Sequence, residues 1–259
     1  MAPIYLSNAE IIRFFVVLTR VSGIMIFAPF FSSQSFPVHV RVAFSLVTAF
    51  VLTPSLPLNS IPAELEWSGI TGLLVNEILL GLILGFAASC VFAGFQFAGQ
   101  MISFQLGFSL IKMIDPQSNV EAPVFSFLQN YIGVLFFLLI NGHHWFLLAI
   151  NKSFASLPVG GIHIGGPVIE QLVRLSADIL VIGLRIAGPV LAVGIITDIV
   201  VGVVGRTAPQ INILIVGMPL KVLIGFGCLS LSFYFLPRYL GDVYAALYKA
   251  LFSLMHAMA

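Results

Sequence analysis

The chain has 259 residues, 59% of them hydrophobic and 8% charged, and its mean hydropathy is +1.10. A net charge of +1 with no clustered basic face gives no electrostatic case for nucleic acid. Apolar runs as long as a bilayer's hydrocarbon thickness, about 20 residues each, need lipid or partner protein to cover them, so the composition is that of an integral membrane protein.

Six apolar segments follow one another: Ile11 to Phe31, Val38 to Leu52, Trp67 to Ile111, Val124 to Ile150, Val168 to Val204 and Ile211 to Leu236, with an aromatic, mildly charged tail. In lipid only a helix or a closed barrel satisfies its own amides, and these runs lack a barrel's polar and apolar alternation, so each is expected to be helical. The first is read as a retained span, because Glu10 precedes it with no Lys or Arg and no small-residue cleavage site follows at Phe27 to Ser33. Pro29 and Pro37, then Pro54, Pro57 and Pro62, then Pro116 and Pro123, then Pro158 with Gly160 to Gly166, then Gly205 and Pro209 punctuate the chain.

Two lengths are anomalous. As one straight helix, Trp67 to Ile111 reaches about 65 Å, twice the hydrocarbon core, and is expected to bend, pair back on itself or protrude. Gly81, Gly85, Ser89, Gly94, Ala98 and Gly99 give it small-xxx-small spacings that let helix backbones approach closely. Val38 to Leu52 is too short to span comfortably. The loop-proximal basic residues divide evenly between the two sides of a six-crossing topology, so charge bias sets no orientation.

Among the ionisable residues inside these runs, eight are singled out: Arg13, Arg20, Glu77, Arg174, Asp178, Arg185, Asp198 and Lys221. At about 2.5 kcal/mol or more for each charge facing lipid at mid-bilayer, they are expected to face protein or water. Arg174, Asp178 and Arg185 lie within about 40° on one helical face, which places the aspartate to serve both arginines. Glu10, Arg13 and Arg20 share a face of roughly 80°. Two readings stand for these charges: structural pairing, within the chain or with neighbouring subunits, and a proton or ion relay.

No Walker loop, nucleophile elbow, HExxH or CxxC pattern occurs, which speaks against an enzyme and implies no cofactor. The adjacent His143 and His144 are about 100° apart on a helix and, with Trp145, read as an interfacial or packing cluster rather than a metal site. Cys90 and Cys228 sit in apolar runs and read as buried small side chains.

Four stretches carry a likeness: APFFSSQSFPVHVRVAFSLVTAFVLTPSLP (Ala28 to Pro57), FQLGFSLIKMIDPQSNVEAPV (Phe104 to Val124), FLLINGHHWFL (Phe137 to Leu147) and GRTAPQINILIVGMPLKVLIG (Gly205 to Gly225). In this order they resemble the FliR family of type III protein export-gate subunits. The resemblance implies an all-α, polytopic hydrophobic protein with bent or hairpin helices, forming part of a helical hetero-oligomeric pore in the bacterial inner membrane at the flagellar basal body. It implies a FliP-like unit over residues 1–160 and a FliQ-like helical hairpin and tail over 161–259. It further implies several copies of FliP-like and FliQ-like partners, an FlhB-like partner, unfolded export substrates, contact with membrane lipid, and helices contorted and largely lifted out of the bilayer plane. Arg206, within the block that begins at Gly205, joins the eight internal charges as an expected structural ion pair or subunit contact.

On the same resemblance, residues 107–123 point into the pore and plug it when closed, with Gly107, Phe108, Leu110, Ile111, Met113, Ile114, Asp115 and Pro116 as the candidate gate. The physics is compatible: irregular backbone at membrane depth is tolerated only beside protein or a watery cavity, and a ring of apolar side chains seals by dewetting. An ordinary connector between two helices is the plainer reading of the same residues. A virulence-secretion member of the family and, from a different class, an ion-coupled secondary transporter using Glu77, Asp178 and Asp198 are the alternative functions.

Overall fold

The computed structural model describes residues 8–27, 37–56, 67–108, 124–208, 210 and 213–259. Seven α-helices fill them, with no strand among the described residues: α1 (Asn8–Phe27), α2 (Val38–Leu52), α3 (Trp67–Gln105), α4 (Val124–Leu139), α5 (Gly142–Ser156), α6 (Gly166–Thr207) and α7 (Ile213–Met258). A 3-10 turn at Thr53–Ser55 closes α2, where the Thr53 hydroxyl donates back to the Ala49 carbonyl.

The apolar runs are helical as expected, with three departures. The third run does not fold back; α3 is one continuous helix of 39 residues. The fourth is broken, because Asn141 takes a left-handed conformation (φ 57°) that ends α4 and starts α5. The tail after Leu236 is not a separate element. It continues α7 to 46 residues, through Pro219 and Pro237, each of which forfeits one intrahelical hydrogen bond. Three helices, 68–105, 166–207 and 216–258, are long and apolar enough to cross a membrane; α4 and α5 qualify together as a broken span.

The described chain divides into two compact units, neither of them contiguous in sequence. The first gathers residues 1–90, 141–175 and 245–259. Its core contains Val17, Val21, Ile24, Leu80, Leu84, Ile150, Leu157, Leu251 and Leu254, all buried. Here α1 meets α3 backbone to backbone. A β-carbon at Gly81 would lie 3.0 Å from the Gly23 Cα, and one at Gly85 2.7 Å from the Ile24 carbonyl oxygen, so both glycines are demanded by the approach. The ends of α6 and α7 close the unit, where the Gln171 amide donates to the Ala250 carbonyl at 3.2 Å and the His163 N–H to the Met258 carbonyl at 3.0 Å.

The second unit gathers residues 91–140 and 176–244. Its centre is aromatic: Phe92 and Tyr244 lie against each other and each against both Phe95 and Phe137, with ring centroids 5.4 to 6.0 Å apart. The buried Tyr244 hydroxyl donates to the Gly133 carbonyl at 2.7 Å, which answers the polar requirement of a phenol inside an apolar core. Gly94 meets Ile182 and Gly183 meets Phe97, seating α6 on α3.

Candidate functional site

Two polar centres and one helix terminus hold Arg20, Glu77, Asp198, Lys221, Gly107 and Phe108 from among the residues that sequence reasoning singled out. The first centre is Arg20 on α1, wholly buried, facing Glu77 on α3, also buried. Arg20 Nε donates to Glu77 Oε2 at 2.5 Å and Nη2 to Oε1 at 3.1 Å, a two-point contact matched to the planar guanidinium. Nη1 reaches Ser153 Oγ at 3.3 Å and Nη2 the Leu157 carbonyl at 3.5 Å, while the Phe154 ring lies 4.1 Å from the guanidinium carbon. Glu77 Oε1 also accepts the Gly160 N–H at 3.0 Å, and the Asn76 amide donates to the Gly160 carbonyl at 3.2 Å. Gly160 has φ 76°, a conformation open to glycine, which turns its N–H toward the carboxylate. One ion pair thus ties α1 and α3 to the end of α5 and the turn beyond it.

The helix terminus is the stem from which residues 107–123 depart. Gly107 has φ 85°, its N–H donates to the Phe104 carbonyl, and the Phe108 N–H donates to the Ser103 carbonyl, both at 3.1 Å. This is a Schellman cap, and it explains why α3 stops at Gln105 rather than running on through Ile111. Three side chains then fix the stem. Leu106, fully buried, fills the cradle of Gly225 on α7. Phe108 stacks edge-on against Phe125, which contacts Phe226, with centroids 5.4 and 5.3 Å apart. Gln105 lies against Gly194 on α6.

Gln105 also belongs to the second polar centre. Its amide donates to Asp198 Oδ2 at 3.1 Å, and Lys221 Nζ lies 2.7 Å from Oδ1 and 2.9 Å from Oδ2 of the same carboxylate. Asp198 on α6 and Lys221 on α7 therefore neutralise each other across the hairpin, beside the stem.

The remaining predicted residues are placed differently. Leu110, Ile111, Met113, Ile114, Asp115 and Pro116 lie outside the described residues, so of the candidate gate only Gly107 and Phe108 have a structural description. Arg174 is exposed and meets Glu170 at 3.6 Å rather than Asp178. Among the described residues Asp178 makes no ion pair with either arginine. Arg185, also exposed, lies beside the Tyr239 hydroxyl, and that hydroxyl is within the field of Asp178. Arg206 is exposed at the end of α6, and the Nε of half-buried Arg13 is buried without an acceptor among the described residues. His143 and His144 are exposed, and Trp145 contacts Tyr248.

Sequence reasoning missed Ser153, Gly160, Gln105 and Tyr239. All are uncharged, and each gains its importance from a charged residue distant in the chain. The pairing of an isolated internal arginine with an isolated internal glutamate was the available signal.

An all-α chain with three or four apolar spans, internal ion pairs and a capped helix leading into a polar, proline-bounded segment is a polytopic helical membrane protein, and no three His, Cys, Asp or Glu side chains gather as a metal site among its described residues. Residues 11–247 match the model of the family described as bacterial export proteins, family 1, and the chain belongs to that family. It is 30% identical over 217 residues to the flagellar biosynthetic protein FliR of Escherichia coli K12, covering 84% of this chain and 82% of that protein. It is 31% identical over 228 residues to FliR of Bacillus subtilis 168 (85% and 87%) and 28% identical over 231 residues to FliR of Aquifex aeolicus (87% and 87%).

Proposed function

We infer that the chain is a membrane subunit of the flagellar type III protein export apparatus, and that it forms part of a passive conduit whose closed state is held by residues 107–123. Membership of the export family along nearly the whole chain carries the first part. The clamped stem carries the second: Leu106, Gly107 and Phe108 are fixed by Gly225, a Schellman cap and Phe125, so the segment that follows leaves from a rigid base. A rigid base is what a plug needs, since a seal held on a mobile stem would leak.

In this reading Leu110, Ile111, Met113 and Ile114 supply the apolar seal, and Asp115 and Pro116 begin the part that moves aside for an unfolded substrate. Residues 1–160 act as a FliP-like unit and 161–259 as a FliQ-like hairpin, and the exposed apolar surface of α2, α6 and α7 meets FliP-like, FliQ-like and FlhB-like subunits or lipid in the bacterial inner membrane. Energy comes from elsewhere in the apparatus, and the chain itself catalyses nothing. An ion-coupled transporter is the weaker reading, because two of its carboxylates, Glu77 and Asp198, are already held by Arg20 and Lys221.

The test is deletion of residues 107–123 in a strain that depends on this chain. Membrane conductance to small ions and secretion of a flagellar substrate are measured together. The expected result is an assembled complex that conducts ions at rest. Normal assembly with unchanged conductance would remove the plug assignment while leaving the export role standing.

A further inference from the structure

The part of α3 that belongs to the second unit turns an unusual face outward. Between Val91 and Gln105 the exposed positions are Gln96, Gln100 and Phe104. They recur every four residues, which sets them in one stripe about 12 Å long that ends three residues before Gly107. Gln96 Nε2 donates to Asn130 Oδ1 at 3.5 Å, so the stripe extends onto α4. The Gln100 amide has no hydrogen-bond partner among the described residues. Neither α4 nor α3 from Val91 onward contains Asp, Glu, Lys, Arg or His. The outward rows of α6 and α7 in the same unit are apolar instead: Ile196, Ile199, Val203, Leu223, Leu231 and Phe235 are all more than half exposed.

Two properties say what such a stripe is built to meet. The first is chemical. A side-chain amide offers both a donor and an acceptor and carries no charge, which matches a peptide unit whatever residue it belongs to. The second is steric. Helices that pack closely in an apolar environment approach through small residues. On α3 these are spent inward, Gly94 against Ile182 of α6 and Gly99 against Ser126 of α4. The outward positions hold long side chains, which keep a neighbouring helix off the backbone and leave room for an extended chain.

We propose that Gln96, Gln100 and Asn130 form a track that hydrogen-bonds the main chain of an unfolded polypeptide as it passes the stem, with Phe104 as the apolar contact at the end of the track. The inference rests on the conduit reading above and names where on this chain the substrate is touched. A polypeptide in a narrow passage gives up water from its N–H and C=O groups, and each group left unpaired costs about as much as a lost hydrogen bond. Amide side chains replace that water without selecting a sequence. The absence of charge along both helices lets acidic and basic stretches of substrate pass alike, since neither is held nor repelled.

The experiment uses the assembled apparatus in cells, with a flagellar substrate arrested in passage by a stably folded domain fused to its end. A photo-crosslinking amino acid replaces one residue at a time at positions 96, 100, 108, 199 and 231. The arrested substrate is expected to be captured from positions 96 and 100 and not from 199 or 231. Capture from 108, with positions 96 and 100 yielding only a neighbouring subunit, overturns the track and leaves the conduit standing. Capture from no position removes the conduit reading and the track with it. Secretion gives an independent measure: Gln96→Leu with Gln100→Leu should lower it about tenfold at an unchanged amount of assembled complex, the size of two hydrogen bonds of ordinary net strength. Gln96→Asn with Gln100→Asn, which keeps both amides, should retain most of it. Undiminished secretion by the leucine variant likewise overturns the proposal.

Discussion

The side chain of Leu106 occupies the space that a β-carbon on Gly225 would need. The contact joins the last turn of α3 to α7 and sets where the chain departs toward residues 109–123. Gly225→Val overpacks this cradle at a cost of about 1–3 kcal/mol, and Leu106 relieves it by moving, which drags Gly107 and Phe108 along. The expected phenotype is an assembled complex with raised resting ion conductance. Gly227→Val is the control, because a β-carbon there meets nothing within 4 Å. A Gly225→Val membrane as tight as the wild type would separate the stem from any sealing role.

The Arg20 and Glu77 pair predicts strongly non-additive mutants. Glu77→Gln leaves a buried guanidinium without its counter-charge, and breaking such a pair costs about 3–5 kcal/mol. Arg20→Met strands the carboxylate with the same order of loss. The double variant Arg20→Met with Glu77→Leu removes both charges at similar volume and should recover most of the stability, short of about 1–3 kcal/mol for the Gly160 N–H that loses its acceptor. Denaturant unfolding of the detergent-solubilised protein measures all three. Additive losses in the double variant would mean that the two side chains do not act as a pair.

Asp198 and Lys221 predict a different pattern, because neither is fully buried: 53% and 19% of their side-chain surface is exposed. The ion pair itself contributes little to folding in water. Its effect belongs to membrane insertion, where a lone lysine at mid-span costs about 2.5–3.5 kcal/mol. Asp198→Ala should therefore lower the amount of protein in the membrane fraction, and Asp198→Ala with Lys221→Leu should restore it. Restoration of quantity but not of tightness is expected in the double variant, since Gln105 still loses its acceptor. Equal membrane yields for wild type and Asp198→Ala would show that the hairpin is not inserted through this level of the bilayer.

How far the sequence could be read varies with the range of the interaction. Helix existence was legible because apolar runs in lipid have one local solution, and α2 begins and ends where its run does. The break between α4 and α5 was not, although the Asn141-Gly142 dipeptide is a turn signal; the apolar run on both sides outweighed it. The tail looked like an ending at Pro237, yet Leu240, Tyr244, Leu247, Leu251 and Met255 keep a buried helical face, so the helix continues at the loss of one hydrogen bond. That internal charges need partners was legible from desolvation. Which partner was not: Arg20 shares a face with Glu10 and Arg13, but it meets Glu77, 57 positions away, because only the fold brings α1 onto α3.

The polar face of α6 sharpens the last case. Periodicity places Asp178 between Arg174 and Arg185, but Arg174 meets Glu170 and Asp178 stays exposed without an ion pair among the described residues. Asp178→Ala should then change the unfolding free energy of the isolated chain by no more than about 0.5 kcal/mol, as for other exposed substitutions. If the aspartate meets a cation on a neighbouring subunit, the same variant should reduce recovery of the assembled complex, since removing one partner of a charge pair at an interface strands the other. Comparing the two measurements on one variant separates the roles. Loss of stability in the isolated chain would return Asp178 to an internal stripe, whereas normal stability with poor assembly would mark this face of α6 as a subunit contact.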